Sequence, residues 1–125
     1  MRLRALPFDL AVARLEPADL VPAWAAVGAF HSVTRTETEL SVVCAAAAVP
    51  PGIRQEGPFR AFAVEGPLDF ALTGLLSALL GPLAEARISV FALSTFDTDF
   101  VLVKADRFAA ATAILKAAGH EILAP

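Results

Sequence analysis

The sequence has no tyrosine, one cysteine, one tryptophan, one methionine and only two histidines in 125 residues. A lone Cys44 excludes an intramolecular disulfide, and its setting in "LSVVCAAAA" reads as a small buried residue rather than a nucleophile. His31 and His120 belong to no recognisable acid-base or nucleophile pattern and read as partly exposed strand residues. No G-x-S-x-G, P-loop or G-x-G-x-x-G occurs. Nothing therefore argues for catalysis, and no cofactor is expected. Charge is also scarce, at 18% of residues with a net value of −3, and the basic residues are scattered, so no footprint for nucleic acid is present.

Long hydrophobic runs are missing too. The longest, Phe70 to Ala84, contains Thr73, Ser77 and Gly81-Pro82 and falls short of the roughly 20 residues that a membrane helix needs. The N-terminal "MRLRALPFDLAVARL" is broken by Pro7, Asp9 and Arg14, so it lacks the apolar core of a signal peptide. The expectation is a soluble chain with the cytosol as default compartment and no membrane partner.

What is abundant is apolar: 57% of residues are hydrophobic. A chain of this length buries on the order of two thirds of its unfolded surface, so it needs no metal or disulfide, and the apolar excess points to an oligomer, a homodimer being the expected form.

Along the chain, "FDLAVARL" (8–15) partly alternates and reads as a first strand. Pro17 and Pro22 limit the next segment to a turn or two of helix. "AFHSVTRTETELSVVC" (29–44) reads as a hairpin turning at Thr36 to Thr38, and "PFRAFAVEG" (58–66) as a strand stopped by Gly66-Pro67. Asp69 is placed to cap a helix from Phe70, with Leu72, Leu75, Leu76, Leu79, Leu80 and Leu83 on its apolar face and Pro82 loosening its end. "ISVFALST" and "TDFVLVKA" read as strands around a polar turn. Asp106 is placed to cap a second helix stopped at Gly119, and "HEIL" adds a last strand.

The second half thus reads β-α-β-β-α-β, the split arrangement of ferredoxin-like domains. The first half reads as a worn copy: "SVTRTETELSVV" set beside "LSTFDTDFVLV" with one inserted residue matches Thr34 to Thr95, Glu39 to Asp99, and Leu40–Val43 to Phe100–Val103. The predicted fold is α+β, two ferredoxin-like βαββαβ units in tandem, the first over 1–58 with shortened helices and the second over 59–125.

Candidate chemistry gathers in two places. In "STFDTD", Asp97 and Asp99 stand two apart and would point the same way in a strand, yet capping of local N–H groups accounts for such a pair better than a metal does. No metal is expected. In "EGPLDFALTG" (65–74), a helix start offers free amides, and Gly74 lets a ligand or backbone approach closely. Amides and helix dipole on one side and carboxylates on the other suit an amino-acid zwitterion.

The stretch "GPLDFALTGLLSALLGPLAEARISVFALSTFDTDFVLVK" resembles ACT-domain proteins of the subgroup that includes small bacterial tandem-ACT proteins and cytosolic arginine sensors. Those read like G-P-L-D-F-x-L-T-G at the helix start and I-S-x-F-x-[IL]-S-T-[FY]-x-T-D-[FY]-x-L-V in the hairpin. The match runs over about residues 59–119, and "AVARLEP", "PAW" and "FHSVTRTETELSVVC" resemble the subgroup's N-terminal unit. The resemblance implies a non-catalytic module holding amino acids between ACT units, often at a subunit interface. It carries ligand contacts onto Gly74, Thr95, Phe96 and Asp99, with Leu68 and Asp69 lining the same corner and Ser94 beside them. Arg87 departs from the pattern, where a small residue is expected, and two units stand where animal sensors have four.

Overall fold

The computed structural model describes residues 1–69 and 73–125. Its elements are β1 (Arg2–Ala5), β2 (Leu10–Leu15), β3 (Ser32–Arg35), β4 (Leu40–Ala45), β5 (Gln55–Val64), α1 (Leu75–Glu85), β6 (Val90–Ser94), β7 (Asp99–Lys104), α2 (Phe108–Ala117) and β8 (Glu121–Leu123). The chain divides into a unit of Phe8–Phe59 and a unit of Met1–Pro7 with Arg60–Pro125. No helix among the described residues is long and apolar enough to cross a membrane.

Within Phe8–Phe59 the strand order is β3-β4-β2-β5, with every pair antiparallel. Single 3-10 turns, Ala23–Ala26 and Ala46–Ala48, stand in the two crossovers. The core explains why so little cover suffices. Its buried side chains are mostly small, with Ala11, Ala13, Ala25 and Cys44 beside Leu40, Val42 and Val49, and Trp24 packs against them. Arg35 ties the proline-containing segment down by donating to the carbonyls of Pro17 and Asp19.

The other unit runs β5-α1-β6-β7-α2-β8 along the chain, as predicted, but its strand order is β6-β7-β5-β1-β8. Strand β1 was not anticipated. It pairs antiparallel with β5, Leu3 opposite Val64, and parallel with β8, Arg2 opposite Glu121. Residues 1–7 therefore leave the first unit expected over 1–58 and join the second. The alternation in "RLRA" is the cause: Leu3 and Ala5 are buried, while Arg2 and Arg4 reach outward to Glu65 and Glu121 at 3.0–3.3 Å. Such exposed pairs hold register more than they add stability, at roughly 0–1 kcal/mol each. Leu3, Phe62, Val64, Leu79, Leu83, Ile88, Val101, Val103, Ala111 and Leu115 form the core, and Phe108 stacks on Phe62 at 4.6 Å under the Arg60 guanidinium.

Both helices end in the same device. The N–H of His120 bonds to Leu115 O and that of Gly119 to Lys116 O; at α1 the N–H of Ile88 bonds to Leu83 O and that of Arg87 to Ala84 O. This paired closure needs a left-handed residue in the position of Gly119 and Arg87. Gly119 takes φ 97 without cost, whereas Arg87 is held at φ 59. The departure noted at Arg87 thus sits at a strained cap.

The helix starts differ from expectation. Described α1 begins at Leu75 with Gly74 as its cap at φ 77, so Asp69 does not cap it and Gly74 stands before the helix rather than one turn inside. The predicted start at Phe70 and the face position Leu72 lie outside the described residues. Helix α2 is capped by Arg107 with no side-chain bond, because a 3-10 turn, Ala105–Arg107, takes up Asp106.

Pro82 lies inside α1 and has no N–H to give the carbonyl four residues back, which is Ala78 O. That carbonyl instead faces His120 Nε2 at 3.2 Å, and an imidazole N–H supplies the missing donor. His120 is thus a structural partner of α1 rather than a bland strand residue.

Candidate functional site

The site grows from the hairpin of β6 and β7. Its last pair is Ser94 opposite Asp99, which leaves Thr95 to Thr98 as the turn. Thr95 closes it: its N–H bonds to Thr98 O at 2.8 Å, its hydroxyl donates to the same carbonyl at 3.1 Å, and Thr98 N–H returns to Thr95 Oγ1 at 3.3 Å. Below the turn, Ser94 Oγ donates to Asp99 Oδ1 at 2.5 Å.

The tip docks on the corner after β5. Thr98 Oγ1 donates to Val64 O, and Leu68 N–H donates to Asp97 O at 2.6 Å. Gly66 permits this approach, because a Cβ there would lie 2.9 Å from Asp97 O. Thr98, through its hydroxyl, and Asp97, through its backbone carbonyl, therefore serve the seat of the turn.

Corner, helix start and hairpin enclose an open pocket of about 280 Å³. Its described lining includes all seven predicted residues: Leu68, Asp69 and Gly74 on one side, and Ser94, Thr95, Phe96 and Asp99 on the other. Leu75, Leu76, Asp97 and Thr98 complete it. Sequence reasoning missed Leu75 and Leu76 because it took them only for the helix's core-facing stripe. The first-turn amides of α1 have no intrahelical acceptor, by the geometry of any helix start. Three carboxylates and no cationic side chain stand among the described lining residues, and Phe96 is 79% exposed at the rim. No group of three metal-ligating side chains gathers among the described residues.

The first hairpin repeats the turn without the site. Arg35 opposite Leu40 leaves Thr36 to Glu39 as its turn. Thr36 N–H bonds to Glu39 O at 2.9 Å, its hydroxyl lies 3.4 Å from that oxygen, and Glu39 N–H returns to Thr36 Oγ1 at 3.2 Å. These are the bonds of Thr95 and Thr98. The matching therefore runs without a gap, Thr36 to Thr95 and Leu40 to Asp99, in place of the expected Thr34 to Thr95 and Glu39 to Asp99. The apolar runs misled the earlier register, since sliding them by one residue pairs more like with like. Asp99 thus corresponds to Leu40, which is fully buried, and Ser94 to Arg35.

The ACT domain family model matches residues 55–117, and a separate N-terminal-domain model matches residues 9–52. A crystal structure of a protein from Agobacterium tumefaciens is 36% identical, with TM-score 0.92, over 99% of this chain and 92% of that one. A protein of unknown function from Vibrio cholerae, described as a possible transport protein, superposes at TM-score 0.75 and 17% identity, covering 93% and 89% of the two chains. The regulatory subunit of aspartate kinase from Thermus flavus superposes at 0.61 and 11% identity, covering 93% and 95%. None of the curated proteins compared matches the chain. The chain belongs to the ACT-domain family. Its sheet-dominated α+β fold is the one shared with the regulatory subunit of aspartate kinase.

Proposed function

We propose that this chain is a non-catalytic regulatory module that binds a free amino acid in the pocket between the Leu68–Asp69 corner, the start of α1 and the Ser94–Asp99 hairpin. The supporting observation is the convergence in one cavity of a helix start and a carboxylate seat. The helix amides and dipole suit the ligand's carboxylate, and Asp99 suits its ammonium. Leu68, Asp69, Gly74, Ser94, Thr95, Phe96 and Asp99 are the proposed ligand-contacting set.

We further propose that the two units are tandem copies of one ferredoxin-like plan, the first with its helices reduced to 3-10 turns. The shared turn bonds and the strand order β3-β4-β2-β5, the order a ferredoxin-like unit takes, support this. The reading extends to a cytosolic protein of the arginine-sensor subgroup that works as a homodimer and passes ligand occupancy to a partner through its assembly.

A thermal-shift screen of the twenty amino acids tests the reading, since a ligand of the folded state must stabilise it. At least one amino acid should raise the transition at millimolar concentration, and Asp99→Ala should abolish the rise. Absence of any response sinks the binding proposal. A second reading, an assembly protein of this fold without a ligand, draws on the exposed Leu20, Val21, Val27 and Val33 of the first unit. It expects a stable dimer on sizing and a silent screen.

A further inference from the structure

A hydroxyl can donate one proton and accept others, so the chemistry of a pocket depends on where those protons go. Three hydroxyls stand among the described lining residues of this pocket, and each has given its proton to the protein itself. Ser94 donates to Asp99 Oδ1, Thr95 to Thr98 O, and Thr98 to Val64 O. The charged lining side chains, Asp69, Asp97 and Asp99, are acceptors when ionised, and the others are apolar or glycine. Every described lining side chain with a polar group therefore offers oxygen lone pairs and no donor.

We infer that Ser94 and Asp99 form an acceptor-only seat that selects a ligand group by its N–H donors and not by positive charge alone. The inference rests on the amino-acid reading above and sharpens it. Ser94 is the positioning residue: it is the direct cross-strand partner of Asp99, and its 2.5 Å bond holds one carboxylate oxygen so that the other oxygen and its own lone pairs stay available. A primary ammonium satisfies several such acceptors at once. A quaternary ammonium of equal charge leaves them unpaired, which a site built to bond N–H groups rejects.

The test is a titration of the full chain with methylammonium chloride and with tetramethylammonium chloride at matched ionic strength, followed through the amide signals of Ser94, Thr95 and Asp99. Methylammonium should give a saturable shift there and tetramethylammonium none. Ser94→Ala should weaken the methylammonium response about tenfold, the scale of one charge-assisted hydrogen bond. Ser94→Thr, which keeps the hydroxyl, should restore it, and because Ser94 is exposed both variants should fold. Equal responses to the two cations, no saturable response to methylammonium, or a Ser94→Ala protein that binds as the parent does would each overturn the inference. An amino-acid response that ignores Ser94→Ala leaves amino-acid binding standing without the acceptor seat. Selectivity for methylammonium with a silent amino-acid screen does the reverse.

Discussion

The hairpins 32–45 and 90–104 close their turns with the same threonine bonds, yet one flanks the turn with Arg35 and Leu40 and the other with Ser94 and Asp99. Leu40 points into a core, and Arg35 is spent on the carbonyls of Pro17 and Asp19. Ser94 and Asp99 face a cavity and each other. A turn and its flanks are thus separable: the turn fixes where the chain reverses, and the flanking pair decides whether that end of the sheet is core or site.

The strongest way to break the contrast is to move the flanking residues across. Leu40→Asp should cost about 4 kcal/mol or more in urea unfolding, because it loses a buried leucine and leaves a carboxylate without a partner. The reverse exchange, Asp99→Leu, should remove the amino-acid response in calorimetry while changing stability by less than about 1 kcal/mol, since that position is not core. A large loss of stability there would show that Asp99 is structural.

The shared part is checked by Thr36→Val and Thr95→Val. Each should cost about 1 kcal/mol in chemical unfolding through the bonds that the two turns share, and Thr36→Val somewhat more, because Thr36 Oγ1 also accepts from Thr38 N–H at 3.2 Å. A loss at only one of the two positions would mean that the turns are alike in shape only. Between the two helix ends, Arg87→Gly should raise stability by about 1 kcal/mol, because it removes the left-handed penalty that Gly119 already avoids.

The smallest difference concerns Cys44, whose counterpart in the second hairpin is Val103. Burial pushes the Cys44 thiol up from its ordinary range. A raised native value means that the unfolded chain gives up the proton first. The stabilising contribution is therefore complete below the unfolded thiol's value and fades as pH rises through the native one. Cys44→Val should flatten the stability profile above about pH 8, where an ordinary thiol begins to titrate, read by thermal unfolding in that alkaline range.

Much of this was legible in the sequence, and for physical reasons. The strands 90–94 and 99–104 carry their β-branched and aromatic residues in runs that local propensity detects, and helix 108–117 ends at a glycine. The pocket-lining residues were named from the resemblance to ACT-domain proteins, after the helix start and the polar turn, both local features, had pointed to the same two segments. Strand 2–5 escaped because its pairing partners lie about 60 and 120 positions away and because four residues are too few to outweigh nearby Pro7. The true register of the two hairpins escaped because it is written in turn hydrogen bonds and not in the apolar runs. Gly74 was placed in the helix because the apolar spacing continues through it, whereas its backbone conformation belongs to a cap.

Pro82 carries a consequence for the motion of the site. A helix of leucines and alanines with a perfect bond ladder could slide or rotate on its sheet at little cost, since its stripe is nearly uniform. By leaving one carbonyl without an internal donor, the proline gives α1 an address: Ala78 O is satisfied where His120 stands. The helix whose first turn borders the pocket is thereby pinned by a residue 42 positions downstream, so a local flaw in one element acts as a locating pin for one wall of that pocket.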